Sequence, residues 1–231
     1  THLTNLDISR CNFTPASIQI FTSSVTWAEA ALASLTLSGN KITGTKRERV
    51  KWIYEADLSG FTSLCQVLGK LNEVNLSDCG LGPASMPELA KAFSNAEAVL
   101  ARVSVLSNPI GADGADALIE VFEQNTKLRT LLGIEEGVTE LNLSEKNVDP
   151  GQAKILAAEL KACRASAVLT SLAVGSNPIG DEAMVQLLDG LKDVSLASLD
   201  ISKTDCGVST ASKLAELLSE ETAFKAVVLA V

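Results

Sequence analysis

Histidine occurs once, as His2, and aromatic residues make up only 4% of a chain of 231 residues. With a single imidazole, the acid–base and nucleophilic schemes that depend on histidine have almost no material. With few rings, the core must be built from Leu, Ile, Val and Ala, within a hydrophobic content of 46% and a mean hydropathy of +0.23. No apolar run reaches about 18 residues, and no basic start leads into a short apolar stretch with a small-residue cleavage site. Direct membrane insertion is therefore not expected. Basic residues are also in short supply: 19 Lys and Arg stand against 28 Asp and Glu, for a formal charge of -9. Such a field repels phosphate backbones and anionic membrane surfaces, so nucleic acid is not an expected partner.

The five cysteines, Cys11, Cys65, Cys79, Cys163 and Cys206, are odd in number and widely spaced, with no CxxC pair. That arrangement fits neither a disulfide framework nor a zinc site, and it implies free thiols in an intracellular, cytoplasmic setting. Rung positions of the repeat described next should bury Cys11 and Cys79. Three tripeptides match the glycosylation sequon, beginning at Asn12, Asn75 and Asn142; the last two are by-products of a recurring Leu-Asn-Leu-Ser strand motif. The chain has no GxSxG elbow, GxxxxGK[ST] or GxGxxG phosphate loop, HExxH pair or calcium loop. No cofactor, metal or catalytic residue is expected, and the carboxylates belong to solvated helix faces.

What is present is a repeat. An apolar residue is followed by apolar residues at +3 and +5, a polar or small one at +8 and another apolar one at +10. The copies start at Leu3, Leu32, Leu71, Leu100, Val138, Leu169 and Leu196, with a broken eighth through Phe224, Val227 and Leu229. Residues +3 and +5 share one face of a short strand, because strand side chains alternate. Stacked copies then pair as a parallel sheet. At +8 an Asn side chain can bond the backbone of the next coil; Asn40, Asn108 and Asn177 occupy that place, with Cys11, Cys79 and Thr204 as small stand-ins and Lys146 as a departure.

Helix signals follow each strand. Thr14-Pro15 and Asp149-Pro150 place an N-cap before a proline at the first helical position. The run from Ser85 to Glu88 has capping-box spacing. Apolar periodicity continues in Leu118, Ile119 and Phe122, in Leu156 and Leu160, in Leu187, Leu188 and Leu191, and in Leu214, Leu217 and Leu218. A single unit orders too much backbone for the few side chains it buries, so stability must come from contacts between neighbouring units.

These positions resemble the LxxLxLxx(N/C)xL signature of leucine-rich repeats over essentially the whole chain. The unit length of about 28 residues, with a helix in each, and the segments from Asn108 to Gly114 and from Asn177 to Glu182 look like the ribonuclease-inhibitor subfamily. The resemblance implies an α/β fold: a right-handed leucine-rich-repeat solenoid, or horseshoe, with a parallel concave β-sheet and convex helices. Residues 1–231 read as one solenoid of about eight repeats, with longer units at 32–70, holding an insertion at 43–55, and at 100–137. Within the second long unit, 125–137 looks like a repeat that has lost its helix. Both ends stop where a solenoid leaves an open repeat face, which implies a piece of a longer array.

Such a chain is expected to be a protein–protein interaction scaffold or adaptor rather than an enzyme. A structural subunit covered by neighbouring subunits of a complex is the alternative. A GTPase regulator is a third reading, since GTPase-activating proteins for Ran share the subfamily; it offers only Arg102, a strand residue, by fold analogy. Two surfaces are candidate sites. The outward strand positions form a small, polar, faintly acidic stripe: Asp7, Thr36, Asn75, Ser104, Asn142 and Asp200, with Ala173 and Val228. The insertion gathers Lys46, Arg47, Arg49, Lys51, Trp52 and Tyr54. It projects to dock a protein partner, or its rings fold back as a plug with the cations paired to local acids.

Overall fold

The computed structural model describes residues 3–95, 99–162 and 168–219. Phe224, Val227, Val228, Leu229, Cys163 and His2, named above, lie outside the described residues. The chain divides into two compact units, Thr1–Gly133 and Ile134–Val231.

The first unit runs β1 (Asn5–Asp7), α1 (Pro15–Ser24), β2 (Ser34–Thr36), β3 (Lys46–Glu48), β4 (Lys51–Ile53), α2 (Ser59–Leu68), β5 (Glu73–Asn75), α3 (Ser85–Phe93), β6 (Arg102–Ser104) and α4 (Gly111–Gln124). Four of its strands pair in parallel in the order β1, β2, β5, β6. The register places Leu6 beside Leu35, Leu35 beside Val74 and Val74 beside Val103, so every +3 residue meets its counterpart. Because the side-chain period of a strand is two, this one alignment sends the whole apolar set to the same side. Leu35, Leu37, Leu76 and Val105 are fully buried.

The second unit runs β7 (Glu140–Asn142), α5 (Pro150–Ala162), β8 (Ser171–Ala173), α6 (Asp181–Gly190), β9 (Ser198–Asp200) and α7 (Val208–Ser219). Its three strands are parallel, with Leu141, Leu172 and Leu199 in register. The strand-then-helix alternation with parallel pairing is that of an α/β repeat.

The seven parallel strands thus fall in two sheets, where the sequence suggested one. The first sheet ends on an irregular rung. Thr130 bridges Arg102 in parallel and Leu132 bridges Ser104, both outside regular strands. The N–H of Val103 donates to Thr130 O at 3.0 Å, but the N–H of Val105 donates to Leu131 O rather than stepping on to residue 132. The parallel bridge sets Leu131 in the +3 place opposite Val103, and the ladder slips one residue beyond it. Leu128, Leu131, Leu132 and Ile134 are buried. The long fourth unit is therefore a complete coil from Leu100 followed by a truncated one starting at Leu128, with no helix between 125 and 137.

Helices begin as local chemistry requires. Thr14 Oγ1 accepts the N–H of Ser17, and Asp149 Oδ1 accepts that of Gln152, each ahead of a proline that has no N–H to offer. Ser85 does not act as the expected N-cap. It is already the first residue of α3, is fully buried and makes no capping-box contact. Gly60 marks a close approach of helices, since a Cβ there would run into the backbone of Pro15 in α1. Leu218, expected on a core face, is 54% exposed because α7 turns Leu214 and Leu217 inward instead.

The Asn residues at +8 work as rungs, but toward the preceding coil rather than the next. Asn108 Oδ1 accepts the N–H groups of Cys79 and Leu81, while its Nδ2 donates to Leu76, Val105 and Leu106. Asn40 and Asn177 repeat this pattern against Phe13 and Ile8, and against Val148 and Leu143. Cys79 substitutes with its thiol donating to Leu37 O at 3.3 Å. Cys11, expected to be buried, is exposed. A rung side chain faces backward, and Cys11 sits in the first described coil, where its thiol reaches only Ser9 O among the described residues. Lys146 likewise points to solvent.

Candidate functional site

The insertion is a β-hairpin. Strands β3 and β4 pair antiparallel, with Lys46 opposite Ile53, Arg47 opposite Trp52 and Glu48 opposite Lys51. Arg49 and Val50 form the two-residue tip, Arg49 at φ +55° and Val50 at 91% exposure. A signal for β4 was present in the sequence, since Val50, Trp52, Ile53 and Tyr54 are strand-favouring types. What the sequence analysis did not recognise was the pairing.

Alternation sorts the hairpin into two faces. Arg47, Trp52 and Tyr54 share one, and the two rings stack at 6.3 Å between centroids with 24° between planes. Both stay nearly half exposed, at 46% and 44%, so they do not plug the neighbouring repeat. Lys46, Glu48, Lys51 and Ile53 share the other face, where Lys46 pairs with Glu48 at 2.7 Å. Among the described residues, Arg47, Arg49 and Lys51 have no salt bridge, and all three are exposed. The structure therefore brings all six candidate residues of the insertion into one projecting element.

Both ends of the hairpin are tied down. On the entering side, the hydroxyls of Thr43 and Thr45 both bond Gly80 O, at 2.7 and 3.0 Å, and both side chains are buried. On the leaving side, the Glu55 carboxylate accepts the N–H of Ala84 at 3.0 Å, the N–H of Ser85 at 2.6 Å and the Ser85 hydroxyl. These N–H groups belong to the start of α3, where a carboxylate satisfies orphan donors and meets the positive end of the helix dipole. Gly82 leaves room for that carboxylate; a Cβ would collide with it. Glu55 was not singled out by sequence reasoning, because nothing local links it to residues 84 and 85.

The outward strand positions behave differently. Asp7, Asn75, Asn142 and Asp200 each turn an oxygen onto the N–H two residues on, at Ser9, Ser77, Ser144 and Ser202. The Ser9 side chain, and after it the Ser9 N–H, hold the Asp7 carboxyl below its ordinary range. The following residue then takes a left-handed conformation in Arg10, Asp78, Glu145 and Lys203. These polar residues are thus engaged in ending each strand, while their outer edges remain open. Thr36 is half-buried, and Ser104 is buried, its hydroxyl shared with Ser77 and Leu132 O. Arg102 lies over Glu73 at 3.6 Å and reaches Gly133 O at 3.4 Å.

Elsewhere, a cavity of about 250 Å³ opens between α2 and α3, lined by Cys65, Lys70, Glu88 and Lys91 among others. Burial, reinforced by Glu88, pushes the Cys65 thiol far up. Among the described residues no cluster of three or more His, Cys, Asp or Glu side chains is arranged for a metal. No helix among them is long and apolar enough to cross a membrane.

Two segments of the sequence, residues 1–19 and 165–188, match the leucine-rich-repeat family model. Over 208 residues, 88% of this chain, it is 27% identical to NACHT, LRR and PYD domains-containing protein 5 of Bos taurus. The chain spans 16% of that protein's length. These likenesses to leucine-rich repeats agree with the α/β repeat and parallel sheets described above.

Proposed function

We propose that this chain is a non-enzymatic, cytoplasmic protein-interaction scaffold or adaptor, and that the β3–β4 hairpin is its docking element. In this reading each unit winds as a right-handed solenoid of the ribonuclease-inhibitor type, strands on the concave side and helices on the convex. The observation that carries the proposal is the hairpin itself: Arg47, Trp52 and Tyr54 lie exposed on one face of an element anchored at both ends. Binding hot spots are enriched in Trp, Tyr and Arg, and a pre-ordered arm loses less entropy on docking than a loose loop. The outward strand residues Asp7, Thr36 and Asn75 of the same unit would flank such a partner as a polar rim. The acidic balance of the rest of the chain argues against nucleic acid as the partner.

Photo-crosslinking from within the source cell tests this. A benzophenone side chain placed at Tyr54 should capture one discrete protein, and reversing Lys46, Arg47, Arg49 and Lys51 to Glu should abolish that adduct. A benzophenone at Gln19, on α1, serves as the control. Equal capture from both positions, or an adduct indifferent to charge reversal, would remove the hairpin from the function.

A further inference from the structure

We infer that the hairpin receives a short, extended, acidic protein segment that carries an apolar side chain between its carboxylates; this rests on the docking role proposed above. Charge is the first argument. Residues 46–54 hold four cations and one acid, in a chain whose net charge is -9, so the remainder is more acidic than the whole. Only Lys46 is neutralised within the hairpin, by Glu48. Arg47, Arg49 and Lys51 are left to an outside anion, and they sit on both faces and at the tip.

Size is the second argument. Each strand is three residues long, a rise of about 10 Å. A nucleic acid carries charge continuously along its length and would extend past this basic island onto a chain that is otherwise net acidic. An acidic stretch of a few residues ends where the cations end.

Backbone geometry supplies the third. The two-residue tip makes Glu48 and Lys51 the closing pair, so Arg47 opposite Trp52 is the non-hydrogen-bonded pair of the ladder. The N–H and C=O groups of Arg47 and Trp52 therefore point outward along the hairpin edges, open to an added strand. A segment paired there alternates its side chains between the Trp52–Tyr54 ring face and the Lys51 face. An apolar residue meets the rings while neighbouring carboxylates meet the cations.

Emission from Trp52 reads the binding. The probes are a blocked eight-residue peptide of glutamates with one central phenylalanine, the same peptide with glutamine for glutamate, a thymidylate octamer, and vesicles containing anionic phospholipid. The glutamate peptide should give a saturable shift, weakened about tenfold or more by R47E/K51E and by raised salt. The Trp27 signal in a W52F variant should stay unchanged. W52A, which keeps every charge, should weaken binding of the same peptide when followed by anisotropy of a labelled copy. Far-ultraviolet circular dichroism checks that each variant folds.

Equal binding of the glutamine peptide would overturn the inference, as would tighter binding of the thymidylate or the vesicles. If a protein crosslinks at Tyr54 while the glutamate peptide gives no shift, the docking role stands and the acidic occupant fails. If neither occurs, the docking role has failed.

Discussion

Glu55 and Ser85 are 30 positions apart, yet the carboxylate of the first receives both the backbone N–H, at 2.6 Å, and the hydroxyl of the second. One side chain thereby fixes the exit of the hairpin and starts a helix. E55A should lower stability by about 1–2 kcal/mol, as loss of a helix cap does. Urea denaturation measures the loss, and hydrogen exchange should quicken first at Ala84 and Ser85. An unchanged midpoint together with unchanged exchange would show the contact to be inert.

Asn108 is 1% exposed, and its side chain accepts from Cys79 and Leu81 and donates to Leu76, Val105 and Leu106, bonding two successive coils. N108A would strand buried N–H and C=O groups, each costing about 1–3 kcal/mol. A total loss of about 3 kcal/mol or more is expected, against less than about 0.5 kcal/mol for the exposed K146A. Comparable midpoints for the two variants would contradict the rung assignment.

Leu131 is fully buried beside β6, in a stretch that has no helix of its own. If this truncated coil closes the first sheet, L131A should cost about 2–5 kcal/mol, the range for a buried leucine. A loss under about 0.5 kcal/mol, typical of a surface loop, would show that the segment merely lies against the sheet.

Asp181 accepts bonds from the Thr210 hydroxyl and from the N–H groups of Thr210, Ser209 and Gly207 at the start of α7. These hold its carboxyl well below the ordinary value of 3.8, the Thr210 hydroxyl contributing most. A lowered folded-state pKa means that the stabilisation is fully present above the unfolded value and is lost as pH falls through the folded one. Exchange protection at Gly207 and Thr210 should therefore hold at pH 5 and erode below about pH 4. D181N should lack that acid-dependent step; its persistence in the variant would assign the step to another group.

Cys65 and Cys79 are buried, and burial pushes the Cys79 thiol up to about 12. Cys11 and Cys206 are exposed. In the folded 231-residue chain a thiol reagent at pH 8 should modify Cys11 and Cys206 quickly and Cys65 and Cys79 only on unfolding, because the thiolate is the reactive species. Peptide mapping after a short pulse checks this. Early labelling of Cys79 would contradict its place in the rung.

The repeat was legible because each +3 and +5 residue announces its direction locally. Leu35, Val74 and Val103 could be aligned from spacing alone, and the strands pair them in that register. The coil at Leu128 was legible only as a repeat without its helix, its register hidden because Gly133 stands where its +5 leucine should be. Cys11 and Cys79 occupy the same repeat position, but burial of a rung depends on a coil stacked behind it, which Cys79 has among the described residues. The six hairpin residues were identified as a group by their composition, whereas their two faces follow from a pairing that composition does not encode.

By itself the sequence determined the strand register, the apolar interior and the clustering of cations with Trp52 and Tyr54. Periodicity of two along a strand and about 3.6 along a helix is enough to direct side chains. Tertiary structure decided which way the Asn rungs face, which carboxylates cap α3 and α7, and how the insertion folds into a hairpin whose rings stay exposed. Those contacts join residues roughly one coil apart, and no local spacing records them. They depend on how far one coil is displaced against the next, and that displacement exists only once the coils are stacked.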